Sequence, residues 1–579
     1  MKQLTYDLET TSLCVHSCKI LGIAICLKPY DAYYVTFNDD ENKTNRILTI
    51  LKPYFEDDSI EKVGQNLKFD NQILKRHGID VRGRLHDTMV ADYILSPQRK
   101  KHGLKLLSKL HLNYNQIEFG AIALGESKKN KTLIGVDPKT AKDYACEDAD
   151  QTLQLLEFML PKIDDNKLQK AYELDCNLVQ VIASMEYEGV KIDLPKLKVI
   201  ETEIQNELEV ISNSISEFTV GDFNVNSQKD LNRLLFDQLN IEALTAKGKN
   251  GLRSVSRGIL QKLLPQHEII QLILDYRALF KVKSTFIKAL KQVNQTTGRL
   301  HTSINQTVTE TGRLSSSKPN LQNIPSRTIG KRLRECFIAS SNNHTLIGAD
   351  YSNIELRVMA VISKDKQMLT AYRDGIDLHT LTASKVLNLD YNKVDKNQRN
   401  IAKTINFGLI YGMTAKGLSQ SLTQNTGEDY KVEQCQSFIN DYFELYEGVA
   451  KCREDLIYKA TIKGYTETLF GRKRPLLNIN SDDSYKRESA KRLALNTPIQ
   501  GTAADIIKMA MVNIDRRIKN ENLQSKMILQ VHDELLFDVP NTELEYMEKL
   551  VLNEMENAVK LPVALEVELH SGKTWADVH

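Results

Sequence analysis

Residues 398–412 read QRNIAKTINFGLIYG, and the fold of the chain turns on what this stretch is. As a helix it puts Arg399, Lys403, Phe407 and Tyr411 on one face, because they recur every four positions. Two cations come first and two aromatic rings follow. Asp395 is placed to be the N-cap, with Gln398 three residues on as in a capping box. Gly412 is a natural stop. Ile401, Ile405 and Leu409 form the opposite, apolar face, which can dock on a core. A row of two cations and two flat rings suits a ligand with polyphosphate at one end and a base at the other. Guanidinium and ammonium groups bind phosphate oxygens, and rings stack on bases. Spacing alone equally allows a solvated basic turn followed by buried aromatics.

Two acidic stretches favour the nucleotide reading. Residues 345–357, TLIGADYSNIELR, read as an apolar strand that ends at Asp350 and turns into a helix. Residues 527–537, MILQVHDELLF, read as a hairpin with Asp533 and Glu534 at its tip. Mg²⁺ takes one or two carboxylates plus substrate phosphates. Two such ions, roughly 3.5–4 Å apart, can clamp the attacking and leaving oxygens of a phosphoryl transfer. Taken singly, Glu355 also fits a capping box with Ser352, and residues 533–534 fit an ordinary polar turn. All three stretches together are much harder to meet by chance.

DYSNIELR at 350–357, RNIAKTINFGLIYG at 399–412 and QVHDE at 530–534 resemble motifs A, B and C of the family A DNA polymerases, the bacterial DNA polymerase I (Klenow-fragment) type. The likeness extends to TGRLSSSKPNLQNIP at 311–325, NTPIQGTAADIIK at 496–508 and the ending GKTWADVH. It covers nearly the whole chain. The resemblance implies a right-hand polymerase domain over residues 166–579, of mixed α/β and α+β class. The thumb would span about 195–290, the palm about 291–380 and 500–579, and the fingers about 381–499. Asp350 and Asp533 would hold two Mg²⁺ ions, with Mn²⁺ as an alternative, and the backbone carbonyl of Tyr351 would be a third ligand. Glu534 would complete the catalytic acids. Arg399, Lys403 and His379 would bind the triphosphate of a dNTP, with Lys403 giving a proton to pyrophosphate. Phe407 and Tyr411 would pack on its sugar and base, and Glu355 would exclude a ribose 2′-hydroxyl. Arg313 would read the minor-groove edge of the primer-terminal pair, whose acceptors look alike for every correct pair. A surface ion pair is the plainer reading of that arginine. Asn320, Gln322, Asn323, Arg492, Asn496, Gln500 and His532 would add contacts to the primer-template DNA.

The first 165 residues alternate strand and helix patterns, which favours an α/β layer. Lys2–Leu8, Cys18–Leu27 and Ala32–Phe37 are expected strands. Asp7 and Glu9 sit two apart on the first and so share a face, where they repel unless a cation lies between them. DLET at 7–10, NLKFD at 66–70 and YACED at 144–148 resemble, in order, the three motifs of the DEDDy 3′–5′ exonucleases, which have a ribonuclease H-like fold. That implies two metal ions on Asp7, Glu9, Asp70 and Asp148, with Tyr144 orienting the attacking water. Leu13 matches a position that wedges against a frayed primer end; a core leucine is the plainer reading. A hinge is expected at Pro161–Lys167, then a long amphipathic helix to Met185. Leu197–Phe218 and a helix capped near Ser227 should form the thumb. The Lys- and Arg-rich segment 246–262 fits a mobile loop or a grip on duplex phosphates. The resemblance leaves no room for a thumb insertion that would hold a processivity factor.

Composition sets the remaining limits. With 579 residues, several domains are expected. A formal net charge of +2 rules out a general polycation, so any DNA surface must be local. The basic run Gly471–Arg474, with Lys486, Arg487, Lys491 and Arg492, is the natural candidate for a template-strand surface. Eight cysteines occur without a CxxC pair, which points to reduced thiols in a cytosolic protein. No signal or membrane span is read, and a monomer in the cytoplasm is expected, with an organelle as the other setting. A nuclease with a DNA-binding half and a catalytically silent scaffold are the rival functions.

Overall fold

The computed structural model describes residues 2–37, 40–125, 131–219, 221, 223–325 and 329–579. Its N-terminal part is built on a five-stranded sheet. The strands are β1 (Gln3–Thr10), β2 (Ile20–Lys28), β3 (Asp31–Thr36), β4 (Glu61–Gly64) and β5 (Leu85–Asp87). Their order is β3-β2-β1-β4-β5, with β1, β2 and β3 antiparallel and β1, β4 and β5 parallel. The period of two along β1 decides what each face does. Leu4, Tyr6 and Leu8 enter one core, while Asp7 and Glu9 turn to the other face. Helix α1 (Lys68–Arg76) follows β4. Helix α2 (Pro138–Asp165) covers the acidic face of β1. It approaches closely because Ala145 and Ala149 meet Ala24 and Cys26.

The expected hinge is corrected here. α2 runs through Pro161 to Asp165, and only 166–168 separate it from α3 (Gln169–Glu188). α3 is buried on two sides. Ala171, Tyr172, Cys176 and Val179 join the N-terminal core, and Leu178, Val181, Ile182 and Met185 join the core of the second domain. A helix shared by two cores cannot serve as a free linker. Polar ties add to it. Lys68 donates to Glu186 at 2.7 Å and to the carbonyl of Ile304 at 2.8 Å. Tyr93 donates to the carbonyl of Thr309 at 2.7 Å.

The basic run at 471–474 is a second correction. Arg472 is buried and bidentate to Asp175 at 2.8 and 3.0 Å, and it also donates to Asp505 at 2.8 Å. Lys508 reaches the same Asp175 at 2.7 Å. Arg474 pairs with Glu310, and Lys473 caps the carbonyl of Asn166 at 2.6 Å. The run therefore packs against α3, the helix that both cores share, and against its own half of the chain instead of lining a DNA surface. Sequence could not tell this, because a cation looks the same whether its anion lies near or far along the chain. Two carboxylates and two cations make a neutral buried cluster, and removing one member strands the others. Arg472→Ala is expected to cost about 3–5 kcal/mol in urea unfolding. A loss below about 1 kcal/mol would mean the cluster is solvated.

The segment expected to be the thumb pairs α4 (Leu194–Ser216) with α5 (Ile269–Lys281). Residues 246–256 form no helix or strand and are mostly exposed. The second sheet carries β6 (His344–Tyr351), β7 (Lys526–Val531), β8 (Glu534–Pro540) and β9 (Val567–Gly572), all antiparallel in the order β7-β8-β6-β9. β6 is central and almost wholly buried. At Gly348 a side chain would meet the carbonyl oxygen of Val578 at 2.4 Å, so only glycine lets the last turn pack there. Around this sheet lie α6 (Ile354–Ser363), α7 (Leu378–Val386), α8 (Lys396–Ile410) and α9 (Ser484–Asn520). The 499/500 boundary expected between fingers and palm falls inside α9, which is 37 residues long and unbroken at Pro498. Among the described residues no helix is long and apolar enough to cross a membrane.

Candidate active sites

The site on the second sheet grows from the end of β6. Strand pairing sets Asp350 opposite Glu534 on one side and Glu568 on the other. Asp533 sits at the tip of the β7–β8 hairpin, where His532 takes φ 56°, and its carbonyl accepts from the Tyr351 amide at 3.3 Å. Burial, then Asp533 and Glu534, push the Asp350 carboxyl up to about 7. Burial raises Asp533 too. Asp350 Oδ1 is buried with no hydrogen-bond partner. An orphaned carboxylate oxygen beside a second raised carboxyl is what a divalent cation would satisfy.

Glu534 is different. It lies in β8 and not at the hairpin tip. Its Oε1 accepts from the Trp575 indole at 2.8 Å, and its Oε2 faces Arg334 at 3.8 Å and His579 at 3.3 Å. Like Asp350 Oδ1, its Oε2 is buried with no hydrogen-bond partner, so it too is left open to a cation. The Tyr351 side chain is buried, its hydroxyl on the carbonyl of Met555 at 2.7 Å. The Glu355 capping box does not form: the N-cap of α6 is Asn353, with φ 51°. Glu355 instead pairs with Arg313. Burial raises the Glu355 carboxyl against the pull of that arginine.

α8 brings the second half of the site. Both hydrogen bonds of the Asp395–Gln398 capping box are made, and Gly412 takes φ 74° just past the end. A cavity of about 350 Å³ is lined by Asp350, Tyr351, Glu355, His379, Arg399, Lys403, Phe407 and Asp533. The basic turn therefore shares a cavity with carboxylates, although Lys403 itself stays exposed. Tyr411 departs from this row. It is the C-cap and lines a neighbouring cavity with Lys403 and Phe407. His379 is buried; its Nδ1 accepts from Asn406 at 2.9 Å and its Nε2 donates to Asn353 at 3.2 Å. Burial lowers it to about 4, so it is neutral. Its ring lies 5.9 Å from that of Phe407.

The proposed DNA contacts divide. Arg313, Gln322, His532 and Asp533 line one cavity, and Gln322, Asn323, His532 and Asp533 line the next. Asn496, with its amide turned to satisfy both, donates to the carbonyls of Arg492 and Tyr411 at 3.2 and 3.3 Å. Arg492 is exposed beside Gly412. Gln500 is half-buried on α9, and Asn320 is exposed; neither lines these cavities. Two partners went unread in the sequence. Asp377 holds Arg399 at 3.1 and 2.7 Å, and Gln530 holds Gln322 at 2.9 Å. Burial opposes the charge of Asp377, but Arg399 together with the hydrogen bonds from Thr380 outweighs it and brings the carboxyl to about 2. Each lies two residues before a histidine the motifs include, and that spacing was the available signal.

The N-terminal site has the geometry of a metal centre. Carboxylate oxygens of Asp7, Glu9 and Asp148 all lie within 4.8 Å of one another. Burial, then Asp148, bring Asp7 up to about 7; burial brings Asp148 up to about 6. Burial and the other carboxylates raise Glu9. Asp70 stands outside that group of three. Its Oδ1 accepts from the Leu8 amide at 3.1 Å, and burial with Asp7 raises its carboxyl. Tyr144 lies one helical turn from Asp148 on α2 and is buried, so this YxxxD is no surface pattern. Leu13 is 86% exposed, which removes the core reading.

The sequence profile described as DNA polymerase family A matches residues 194–577, and the profile described as 3′-5′ exonuclease matches residues 1–164. DNA polymerase I of Pseudomonas aeruginosa is 36% identical over 589 residues, covering 100% of this chain and 64% of its own length. DNA polymerase I of Geobacillus stearothermophilus is 39% identical over 507 residues, covering 87% and 56%. The chain thus spans less than two thirds of these curated relatives. Among solved structures, the polymerase domain of Pol1 from M. smegmatis, in complex with DNA primer-template and dNTP, aligns with a TM-score of 0.88 at 30% identity. That alignment covers 99% of this chain and 96% of the other.

Proposed function

The chain belongs to DNA polymerase family A, with a 3′-5′ exonuclease domain in front, and from that premise we propose that it extends DNA primers with dNTPs and trims their 3′ ends. The observation that carries the reading is one cavity. Asp350 and Asp533 reach it from the sheet, and Arg399, Lys403 and Phe407 reach it from α8. The primer 3′-hydroxyl attacks the α-phosphate of the dNTP, and pyrophosphate leaves. Two divalent ions, Mg²⁺ or Mn²⁺, would supply Lewis-acid charge on Asp350, Asp533 and the Tyr351 carbonyl. Arg399 and Lys403 neutralise the triphosphate, and Lys403 gives the leaving pyrophosphate its proton. Phe407 takes the sugar side and Tyr411 the base side. Arg313 reads the terminal pair. In the N-terminal domain Asp7, Glu9, Asp148 and Asp70 would hold the second pair of ions, Tyr144 orients water, and the exposed Leu13 wedges the frayed end. The polymerase belongs to DNA replication or repair.

Extension of a labelled primer-template with and without dNTPs tests both activities in one gel. Longer products with dNTPs and shorter ones without them are expected. Shortening in both lanes would leave a nuclease with a DNA-binding half.

Sugar choice gives a sharper test. Glu355 stands in the cavity at the Arg313 contact, where a ribose 2′-hydroxyl would meet it. Glu355→Ala is expected to raise the ratio of ribonucleotide to deoxyribonucleotide kcat/KM by roughly tenfold, with some loss of dNTP efficiency from the freed Arg313. An unchanged ratio would leave Glu355 as a partner of Arg313 only.

A further inference from the structure

We infer that Lys105 is a positioning residue of the N-terminal carboxylate site, whose ammonium weakens divalent-ion binding there and offsets the charge that gathers when a phosphodiester is cut. The inference rests on the exonuclease reading and adds a residue that none of its three motifs contains. Lys105 lies in the short helix Leu104–Leu107. Its Nζ is 3.6 Å from Asp148 Oδ1 and 4.5 Å from the centre of the Tyr144 ring. It donates to the carbonyl of Ile117. The side chain is only 26% exposed, so its place is set by these three contacts. Gln116 donates to the same Asp148 oxygen at 2.8 Å. Asp148 is thus held by the protein itself on the side next to Tyr144. Lys105 also counters the crowding of Asp7 and Glu9.

Charge counting shows what the ammonium does. With two divalent ions bound, Asp7, Glu9, Asp70 and Asp148 would be ionised, four negative charges that the ions neutralise. A phosphodiester then adds one more. In the cleavage step a water oxygen bonds to phosphorus and the P–O3′ bond breaks. The water's proton ends on the departing 3′ oxygen, and a nucleoside 5′-monophosphate is released. Negative charge on the phosphoryl oxygens peaks midway, and Lys105 is, among the described residues, the cation beside Asp148 that does not exchange. A fixed positive charge must repel the divalent ions that share its carboxylates, and it must favour the charged intermediate stage.

The two effects have opposite signs, which separates this role from a merely structural one. The test compares wild type, Lys105→Met and Lys105→Arg, titrated with Mn²⁺ and followed by electron paramagnetic resonance. Binding that disappears in Asp7→Ala/Glu9→Ala defines the ions of this site. Lys105→Met is expected to bind those ions roughly threefold or more tightly, yet degrade a labelled single strand about 100-fold more slowly at saturating Mn²⁺. Lys105→Arg should restore both values. If Lys105→Met binds the ions no more tightly, or degrades DNA at the wild-type rate, the role of Lys105 is overturned. If the double variant keeps every ion, the metal reading of the site falls as well, and the two failures are told apart.

Discussion

Asp533→Ala should abolish primer extension while leaving 3′–5′ degradation at the wild-type rate, and Asp7→Ala with Glu9→Ala should do the reverse. The physical ground is that the two carboxylate sets belong to different sheets. Asp7 and Glu9 lie on β1, facing α2, and Asp350 and Asp533 lie at the end of β6 and the tip of the β7–β8 hairpin. Removing Asp533 takes away the second raised carboxyl beside Asp350, whose Oδ1 has no hydrogen-bond partner. The lost charge stabilisation amounts to several kcal/mol, so extension should fall on the order of a thousandfold or more. Sites without shared partners respond independently. Single-turnover extension and degradation of one labelled substrate measure both effects. The shared helix α3 and the Arg472 cluster give the experiment its edge. If the β1 double variant also lost most extension, the two domains would act as one catalytic unit.

Phe407→Tyr carries the second large effect. The wild type should reject dideoxynucleotides, and the variant should accept them about ten- to a hundredfold better. Phe407 lines the cavity with Asp350 and Glu355, and its ring is backed by the neutral His379. A dNTP has a 3′-hydroxyl that can hydrogen-bond within its own triphosphate, and a dideoxynucleotide leaves that partner unmet. Phenylalanine offers no donor in its place, whereas tyrosine adds one at the substrate end of the ring. One hydrogen bond to a charged group is worth roughly 1.5–3 kcal/mol, which sets the size of the expected gain. His379 has no free nitrogen to compensate, since Asn406 and Asn353 occupy both. The measurement is the kcat/KM ratio for a dNTP and its dideoxy analogue in both proteins. A shift below about twofold would move Phe407 away from the sugar, and the facing row of Arg399 and Lys403 with it.

Much of this protein was legible in local patterns. The period of two along Leu4–Glu9 determined which face of β1 is acidic. The period of four along Arg399–Phe407 determined which groups of α8 act together, and Asp395, Gln398 and Gly412 marked its ends, because caps are satisfied by residues three or four positions away. Tertiary structure decided whatever depended on a partner far along the chain. Arg472 resembled a DNA-binding cation until Asp175, 297 residues away, enclosed it. Glu355 resembled a helix cap until Arg313 took it. Leu13 was open between core and surface, and only the fold could expose it. Lys105 gave no signal, since a lysine in a four-residue helix is ordinary until Asp148 and Tyr144 of α2 are packed beside it. Spacing along the chain sets which side chains share a face. Which charges meet across faces is set by packing, because the same ionic group is inexpensive in water and must find its counter-ion once buried.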